Sequence, residues 1–281
     1  IHCWDDEKGY YTSKYRRYAY VRDGNGAHQS IHGERLKKLT WWKAEDDLQL
    51  YESDVNEVTR FLIDNYGDSD ESSVGHTVLT FDIEVEMLSG LPDIDKAGNE
   101  ITAIAGHDSV TNDYFVYVVN KGEKINKTIK GAQVESFDSE DELLTAFLNK
   151  WQEINPSIVT GWNIDYFDVT YLYNRLKNRF GERLANKLSP IGKVHWNKYR
   201  KRYIIAGVSA LDYLALYKCY TYTELPNYRL DTVATTELGR GKIEYEGNLD
   251  QLFRDDIEKF IEYNLVDVEL VVDMDKKLQF I

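Results

Sequence analysis

Polar and apolar positions alternate with a period of two over Thr77–Val85, where Leu79, Phe81, Ile83 and Val85 take one side and Asp82 and Glu84 the other. That period, in a run rich in β-branched residues, predicts a strand with one face in a core. Further runs predict strands at Ile101–His107, Asp113–Val119 and Gln133–Phe137. Gly98-Asn99 and Thr111–Asp113 supply turns between the first three strands, which makes them an antiparallel meander. The spacing then changes to that of a helix. Ser139 can cap it, Glu140, Asp141 and Glu142 fill its first turn, and Leu143, Leu144, Phe147, Leu148 and Trp151 form one stripe that stops before Pro156. Ser157–Gly161 predicts a short buried strand, with a helix starting near Phe167. Ile204–Val208 predicts one more strand, and Asp256–Leu278 carries helical periodicity to the end of the chain.

Residues 1–66 mix short aromatic stretches with one helical pattern near Val55–Tyr66. The small, polar run Gly67–Ser73 reads as a linker. It divides the chain into a small α+β N-terminal part, residues 1–76, and a larger domain over 77–281. Three antiparallel strands followed by helix, strand and helix predict an α/β domain for the latter. Its sheet is mixed, antiparallel strands first and parallel strands after, flanked by helices as in the ribonuclease H-like folds. No internal repeat interrupts this order.

Composition narrows the class. The 13% aromatic content excludes a disordered chain. No window approaches the 18 apolar residues of a membrane span, so no membrane is expected among the partners. Two cysteines, Cys3 and Cys219, make neither a disulfide framework nor a zinc-binding spacing. With no signal-peptide pattern, they point to a reducing, cytoplasmic setting. The chain opens on Ile1 and not on Met, which reads as a piece of something longer.

The net charge of −14 argues against a simple electrostatic nucleic-acid binder. Its distribution argues otherwise: Tyr171–Arg202 holds ten Lys/Arg against one acid, Glu182. A basic segment on an acidic body suits a protein that holds metal ions in one place and a phosphate backbone in another. The acids have their own pattern. Asp82 and Glu84 project from one face of a buried strand, where they repel one another unless a cation lies between them. Asp168 follows a buried strand at a helix start, and Tyr263 and Asp267 share a helix face at i and i+4. An all-oxygen set of this kind selects hard divalent ions, Mg²⁺ or Mn²⁺. Two such ions about 3.5–4 Å apart activate a water and stabilise the leaving oxygen of a phosphodiester. Among 48 acids a lone carboxylate carries no weight; the surrounding residues supply it.

Those residues are FDIEV (Phe81–Val85), GWNIDYFDVTYLYNRLK (Gly161–Lys177) and YNLVDVELV (Tyr263–Val271). They resemble, in order and spacing, the three exonuclease motifs of family B DNA polymerases, and most of all those of the T-even-type bacteriophage enzymes. The intervening LSP, VSALDYLALYK and LPNYRLDTVATTELGRGKIEY are similar to that group as well, so the resemblance runs from about Thr77 to Ile281. It implies a proofreading 3′–5′ exonuclease acting on single-stranded 3′ ends and releasing nucleoside monophosphates. In that reading Asp82, Glu84, Asp168 and Asp267 hold two metal ions and Tyr263 orients the attacking water.

Weaker matches extend the resemblance. Asn163 falls where the family places an Asn near the substrate strand, and Leu91 where an apolar side chain packs against the terminal base. Lys242, in Lys242-Ile243-Glu244-Tyr245, resembles the family's Lys-x-x-aromatic element near the scissile phosphate. Arg229-Leu230 departs from the Ser/Thr-Leu often seen there, which leaves that contact open. Val194–Ile205 resembles the family's β-hairpin that helps separate primer from template. In it Trp196, Tyr199 and Tyr203 interleave with Lys198, Arg200, Lys201 and Arg202, as in segments that hold single strands by stacking and charge. Tyr66-Gly67-Asp68-Ser69-Asp70 imitates the family's paired-aspartate polymerase motif but lies ahead of the exonuclease motifs at a helix end. The run carrying the other polymerase aspartate, Asp-x-x-Ser-Leu-Tyr-Pro, is missing, so the chain is not expected to polymerise by itself. Primer–template DNA, the rest of a polymerase chain and, through parts outside this chain, a sliding clamp are the implied partners. A stand-alone exonuclease and a non-catalytic DNA-holding module are the alternatives, and a metal-dependent nuclease assay separates the second from the rest.

Overall fold

The computed structural model describes residues 1–5, 9–43, 48–70, 75–87, 90, 92–222 and 224–281. Within it the chain forms two compact units, Ile1–Ser73 and Val74–Ile281.

In the first unit, β1 (His2–Asp5) and β2 (Gly9–Thr12) make an antiparallel pair. A four-stranded sheet follows from β3 (Ala19–Arg22), β4 (His28–Gln29), β5 (Arg35–Leu39) and β6 (Leu50–Tyr51), in the order β4-β5-β3-β6. The helix expected near Val55–Tyr66 is α1 (Glu57–Tyr66), which starts two residues later because Asn56 takes the cap and accepts from the Thr59 N–H. Among the described residues its buried apolar side chains are Tyr18, Ala19, Leu36 and Phe61. Tyr66 closes α1, so Asp68 and Asp70 follow a helix end.

The second unit is built on a seven-stranded mixed sheet. Its strands are β7 (Val78–Val85), β8 (Ile101–Asp108), β9 (Asp113–Val119), β10 (Asn126–Ile129), β11 (Ala132–Phe137), β12 (Ile158–Gly161) and β15 (Ser209–Asp212). The order is β10-β11-β9-β8-β7-β12-β15. The β7-β8-β9 meander is antiparallel, as the turns predicted. On one side β11 runs parallel to β9; on the other β12 runs parallel to β7 and β15 to β12. Helices α2 (Glu140–Ile154) and α3 (Asp168–Phe180) cover one face. There Leu79, Phe81 and Ile83 pack with Phe147, Trp151, Leu172 and Leu176. Ser139 caps α2 as expected, and Asn155 ends it in the left-handed region (φ 46°) before Pro156.

The remaining elements are a short helix α4 (Glu182–Ala185) continued by a 3-10 turn (Asn186–Leu188), a hairpin of β13 (Val194–Asn197) and β14 (Arg202–Ile205), and helices α5 (Tyr213–Tyr220), α6 (Leu230–Leu238), α7 (Leu249–Asp255) and α8 (Ile257–Leu278). The strand expected at Ile204–Val208 is corrected here. Its first residues close the hairpin, and Gly207 turns the chain in the left-handed region (φ 89°). The seventh sheet strand is then Ser209–Asp212, whose alternating residues are too mixed to announce it.

Helix α8 covers the other face of the sheet. Phe260, Ile261, Leu265 and Val268 pack on Ala103, Ala105, Val116 and Val118. The register sets Asp82 opposite Ala105 and Glu84 opposite Ala103. Residues directly opposite in an antiparallel pair point to the same side. Two acids and two methyl groups therefore share the surface under α8, and the small alanines let the helix come close. At the end of β12, a Cβ on Gly161 would lie 2.5 Å from the Phe81 carbonyl oxygen, so only glycine lets β12 meet β7 there.

Candidate active site

Strand β7 presents Asp82 and Glu84, helix α3 begins on Asp168, and α8 contributes Tyr263 and Asp267 one turn apart. The fold brings these together. One carboxylate oxygen each from Asp82, Glu84 and Asp267 lie within 4.8 Å of one another. Asp168 is buried, and its Oδ1 accepts from the Ile83 backbone N–H at 3.1 Å, which pins the first residue of α3 to the middle of β7. Lys242 reaches in from the loop after α6. Its ammonium donates to Asp267 Oδ2 at 2.5 Å and to the Tyr263 hydroxyl oxygen at 3.1 Å. The loop is held by the Lys242 backbone N–H on Asp231 Oδ1, and Tyr245 sets its ring edge-on against Tyr263.

Four acids, Asp168 and Asp267 buried and Asp82 and Glu84 half-buried, facing one lysine make a strained electrostatic set. Burial, then Asp168, Glu84 and Asp267, push Asp82 well above the usual carboxylate range. Burial and Asp267 push Glu84 up to about 8. Burial raises Asp168 to about 7, against the Ile83 hydrogen bond. Asp267 is raised by burial too, with Lys242 opposing. Burial works against the Lys242 cation, but Asp267, Tyr263 and Asp82 outweigh it and keep the ammonium charged. Burial and Asp267 also hold the Tyr263 phenol neutral, and because its oxygen accepts from Lys242 its proton remains available to donate. Asp267 Oδ1 is buried with no hydrogen-bond partner among the described residues. Hard oxygen donors, mutual repulsion and an orphaned carboxylate oxygen fit a hard divalent cation.

The basic hairpin behaves less uniformly than its sequence. Lys198, Tyr199, Arg200 and Lys201 are exposed at its tip, and Asn197 Oδ1 shapes the turn by accepting from the backbone N–H groups of Tyr199 and Arg200. Trp196 is partly open and meets Tyr203 edge-on; Tyr203 in turn packs on Tyr173. Its aromatic row is thus split, Tyr199 exposed and Tyr203 built into the body. Arg202 differs from the three neighbouring cations. It is largely buried in an ion pair with Asp165, so its charge is matched inside the fold and is not part of an open basic strip. Arg202 pairs with Asn197 on the last rung before the turn, so it begins the return strand directly after the exposed tip.

Asn163 occupies the turn between β12 and α3. It adopts the left-handed region (φ 63°), and its carbonyl accepts from the Tyr166 and Phe167 N–H groups. The same turn is held to the Asp212 carboxylate, which accepts from the Asp165 N–H at 3.3 Å and also caps α5. Leu91 lies outside the described residues. A polar residue passed over in the sequence stands at the centre: Asn264, fully buried on α8, donates Nδ2 to Asp82 Oδ2 at 2.8 Å. An amide inside an apolar helical stripe was the available signal. Among the described residues no helix is long and apolar enough to cross a membrane. Cys3 and Cys219 are both free thiols.

Comparison with known proteins matches residues 68–233 to the family described as DNA polymerase family B, exonuclease domain. A DNA-directed DNA polymerase of Escherichia phage RB69 is 37% identical over 273 residues, covering 86% of this chain and 30% of that protein. The DNA-directed DNA polymerase of Enterobacteria phage T4 is 35% identical over the same shares. DNA polymerase 1 of Saccharolobus solfataricus is 28% identical over 257 residues, covering 84% of this chain and 24% of that protein. The chain thus spans under a third of the length of these relatives.

Proposed function

The chain belongs to the exonuclease-domain family of family B DNA polymerases, and on that premise we propose that it is a proofreading 3′–5′ exonuclease working within a longer polymerase. Its substrate is the single-stranded 3′ end of primer–template DNA, and its product is a nucleoside monophosphate. The observation that carries this reading is the meeting of half-buried Asp82 and Glu84 with buried Asp267 beside Asp168, under one lysine. The antiparallel meander flanked by parallel strands supports a ribonuclease H-like assignment for the sheet. A bacterial cytoplasm during infection is the setting that the phage relatives suggest, and a sliding clamp would be met through other parts of such a polymerase.

In this reading Asp82, Glu84, Asp168 and Asp267 hold two Mg²⁺ or Mn²⁺ ions. Bound there, the ions supply Lewis-acid charge at the reacting phosphate and favour an ionised water. The protein's own groups do the rest. Tyr263, kept neutral with its oxygen engaged by Lys242, points its free proton to the attacking water and orients it. Lys242 offers a fixed positive charge to the phosphate oxygens as negative charge builds on them. Trp196 and Tyr199 offer faces on which bases stack, and Lys198, Arg200 and Lys201 attract the backbone. Asn163 shapes the turn that leads to Asp168, and Leu91 would reach the terminal base.

A 5′-fluorescent single-stranded oligonucleotide tests this. With Mn²⁺ or Mg²⁺ it should shorten stepwise from its 3′ end, and EDTA should stop the ladder. A folded, metal-replete protein that binds the oligonucleotide and leaves it intact would overturn the exonuclease reading.

A further inference from the structure

We propose that Asn264 is a positioning residue for Asp82: its amide engages one carboxylate oxygen, stops the group from spinning and holds the other oxygen for a cation. The inference rests on the metal-binding reading of the cluster. It starts from where the residue sits. Asn264 is fully buried on α8, in a helix whose neighbouring positions Phe260, Ile261, Leu265 and Val268 are buried and apolar. A site that only filled space would favour an apolar side chain, because a buried amide must replace the hydrogen bonds that it gives up in water.

The hydrogen bond that the side chain makes has a definite polarity. Nδ2 donates to Asp82 Oδ2 at 2.8 Å, and an ionised carboxylate can only accept. The amide's other end, Oδ1, is buried with no partner among the described residues. The side chain is therefore half satisfied, and the half that is satisfied is spent on Asp82. The helix explains the rest. Asn264 lies next to Tyr263 and three residues before Asp267, so a single turn of α8 presents all three to the same surface. The other acids are restrained from other elements: Asp168 by the Ile83 N–H and Asp267 by Lys242. Asp82 receives its restraint from Asn264. Groups that orient a metal-holding side chain typically change metal affinity or activity by about 10–100-fold when removed.

Mn²⁺ binding to the intact chain without DNA, followed by the electron paramagnetic resonance of the free ion, tests this apart from catalysis. Four proteins are compared: wild type, Asn264→Leu, Asp82→Ala and the double variant. Thermal melts check folding, and Asn264→Ala replaces Asn264→Leu throughout if the larger side chain does not fold. We expect Asn264→Leu to bind Mn²⁺ about tenfold more weakly. In the Asp82→Ala background the same substitution should cost nothing further, because the residue through which it acts is gone. A merely structural asparagine would weaken both backgrounds alike, and that result overturns the proposal. So does unchanged Mn²⁺ affinity in Asn264→Leu when the wild type binds. A wild type that binds no Mn²⁺ would instead remove the metal reading of the cluster, and this inference with it.

Discussion

Replacing Lys242 with methionine removes the cation hydrogen-bonded to the acid cluster while keeping most of the side chain's volume. The Asp267 partner side chain is 5% exposed and Lys242 28%, so the pair is nearly buried. Breaking such a pair from one side costs about 3–5 kcal/mol, and the partial exposure of Lys242 favours the lower end, about 3 kcal/mol. For a unit of this size 1 kcal/mol moves the melting temperature by about 2–4 °C, so the metal-free variant should melt roughly 6–12 °C lower at pH 8. The pH dependence has a definite sign. Glu84 is raised to about 8 and Asp168 to about 7, mainly by burial, and Asp82 and Asp267 are raised as well. Carboxyls shifted upward on folding contribute stability that is fully present below their unfolded pKa, near 4. That contribution is lost as pH rises through the folded values. At pH 4 Glu84 and Asp168 are neutral and Asp82 and Asp267 carry less charge than at pH 8, so Lys242 has less to offset and the variant's deficit should shrink. Thermal melts by circular dichroism in EDTA, at pH 4 and pH 8, follow the transition that Mn²⁺ shifts. A drop below about 2 °C at pH 8, or an equal drop at pH 4, would refute the electrostatic account.

Other outcomes follow from the same geometry. Asp82→Ala or Asp168→Ala should each reduce oligonucleotide hydrolysis well over tenfold, about 1.4 kcal/mol or more of transition-state stabilisation, with folding kept; if either variant retained more than about a tenth of the rate, that aspartate would not be a principal metal ligand. Tyr263→Phe should lower kcat by about ten- to a hundredfold with little change in DNA binding, the scale of one oriented hydrogen bond in a dry site. A reduction equal to that of Asp82→Ala would contradict its lesser role. Replacing Lys198, Arg200 and Lys201 with Ala should flatten the salt dependence of single-strand binding by a slope of about 0.7 for each phosphate no longer neutralised, with turnover at saturating DNA near normal. Arg202→Ala should differ in kind, lowering the melting temperature because Asp165 is left without its partner, and leaving the salt slope nearly unchanged.

Much of this molecule is written in short-range periodicity. The shared face of Asp82 and Glu84 follows from a backbone that repeats every two residues, and the shared face of Tyr263 and Asp267 from a helix that repeats about every 3.6. The cap and stripe of α2 were legible for the same reason: each depends on residues within a few positions of one another. The edge strand Ser209–Asp212 was not, because it is a strand only by pairing with β12, and its residues alternate too weakly to say so. Arg202 shows the limit from the other side. In the chain it belongs to an unbroken basic run; in the fold it starts the return strand of a hairpin, paired with Asn197 beside the turn, and meets Asp165.

By itself, then, the sequence determined which residues face the same way within each element, since that depends only on local backbone geometry. Which faces meet was decided by the tertiary structure. Ala103 and Ala105 lie beside the two acids of β7 through sheet register, and their small size admits α8. That approach sets Asn264 on Asp82 across 182 residues of chain, and Lys242 on Asp267 from a loop with no regular structure of its own. Contacts of this kind have no period. They arise because burying the apolar faces of sheet and helix forces the polar positions between them into one small volume, where charge and hydrogen-bond capacity must be balanced together.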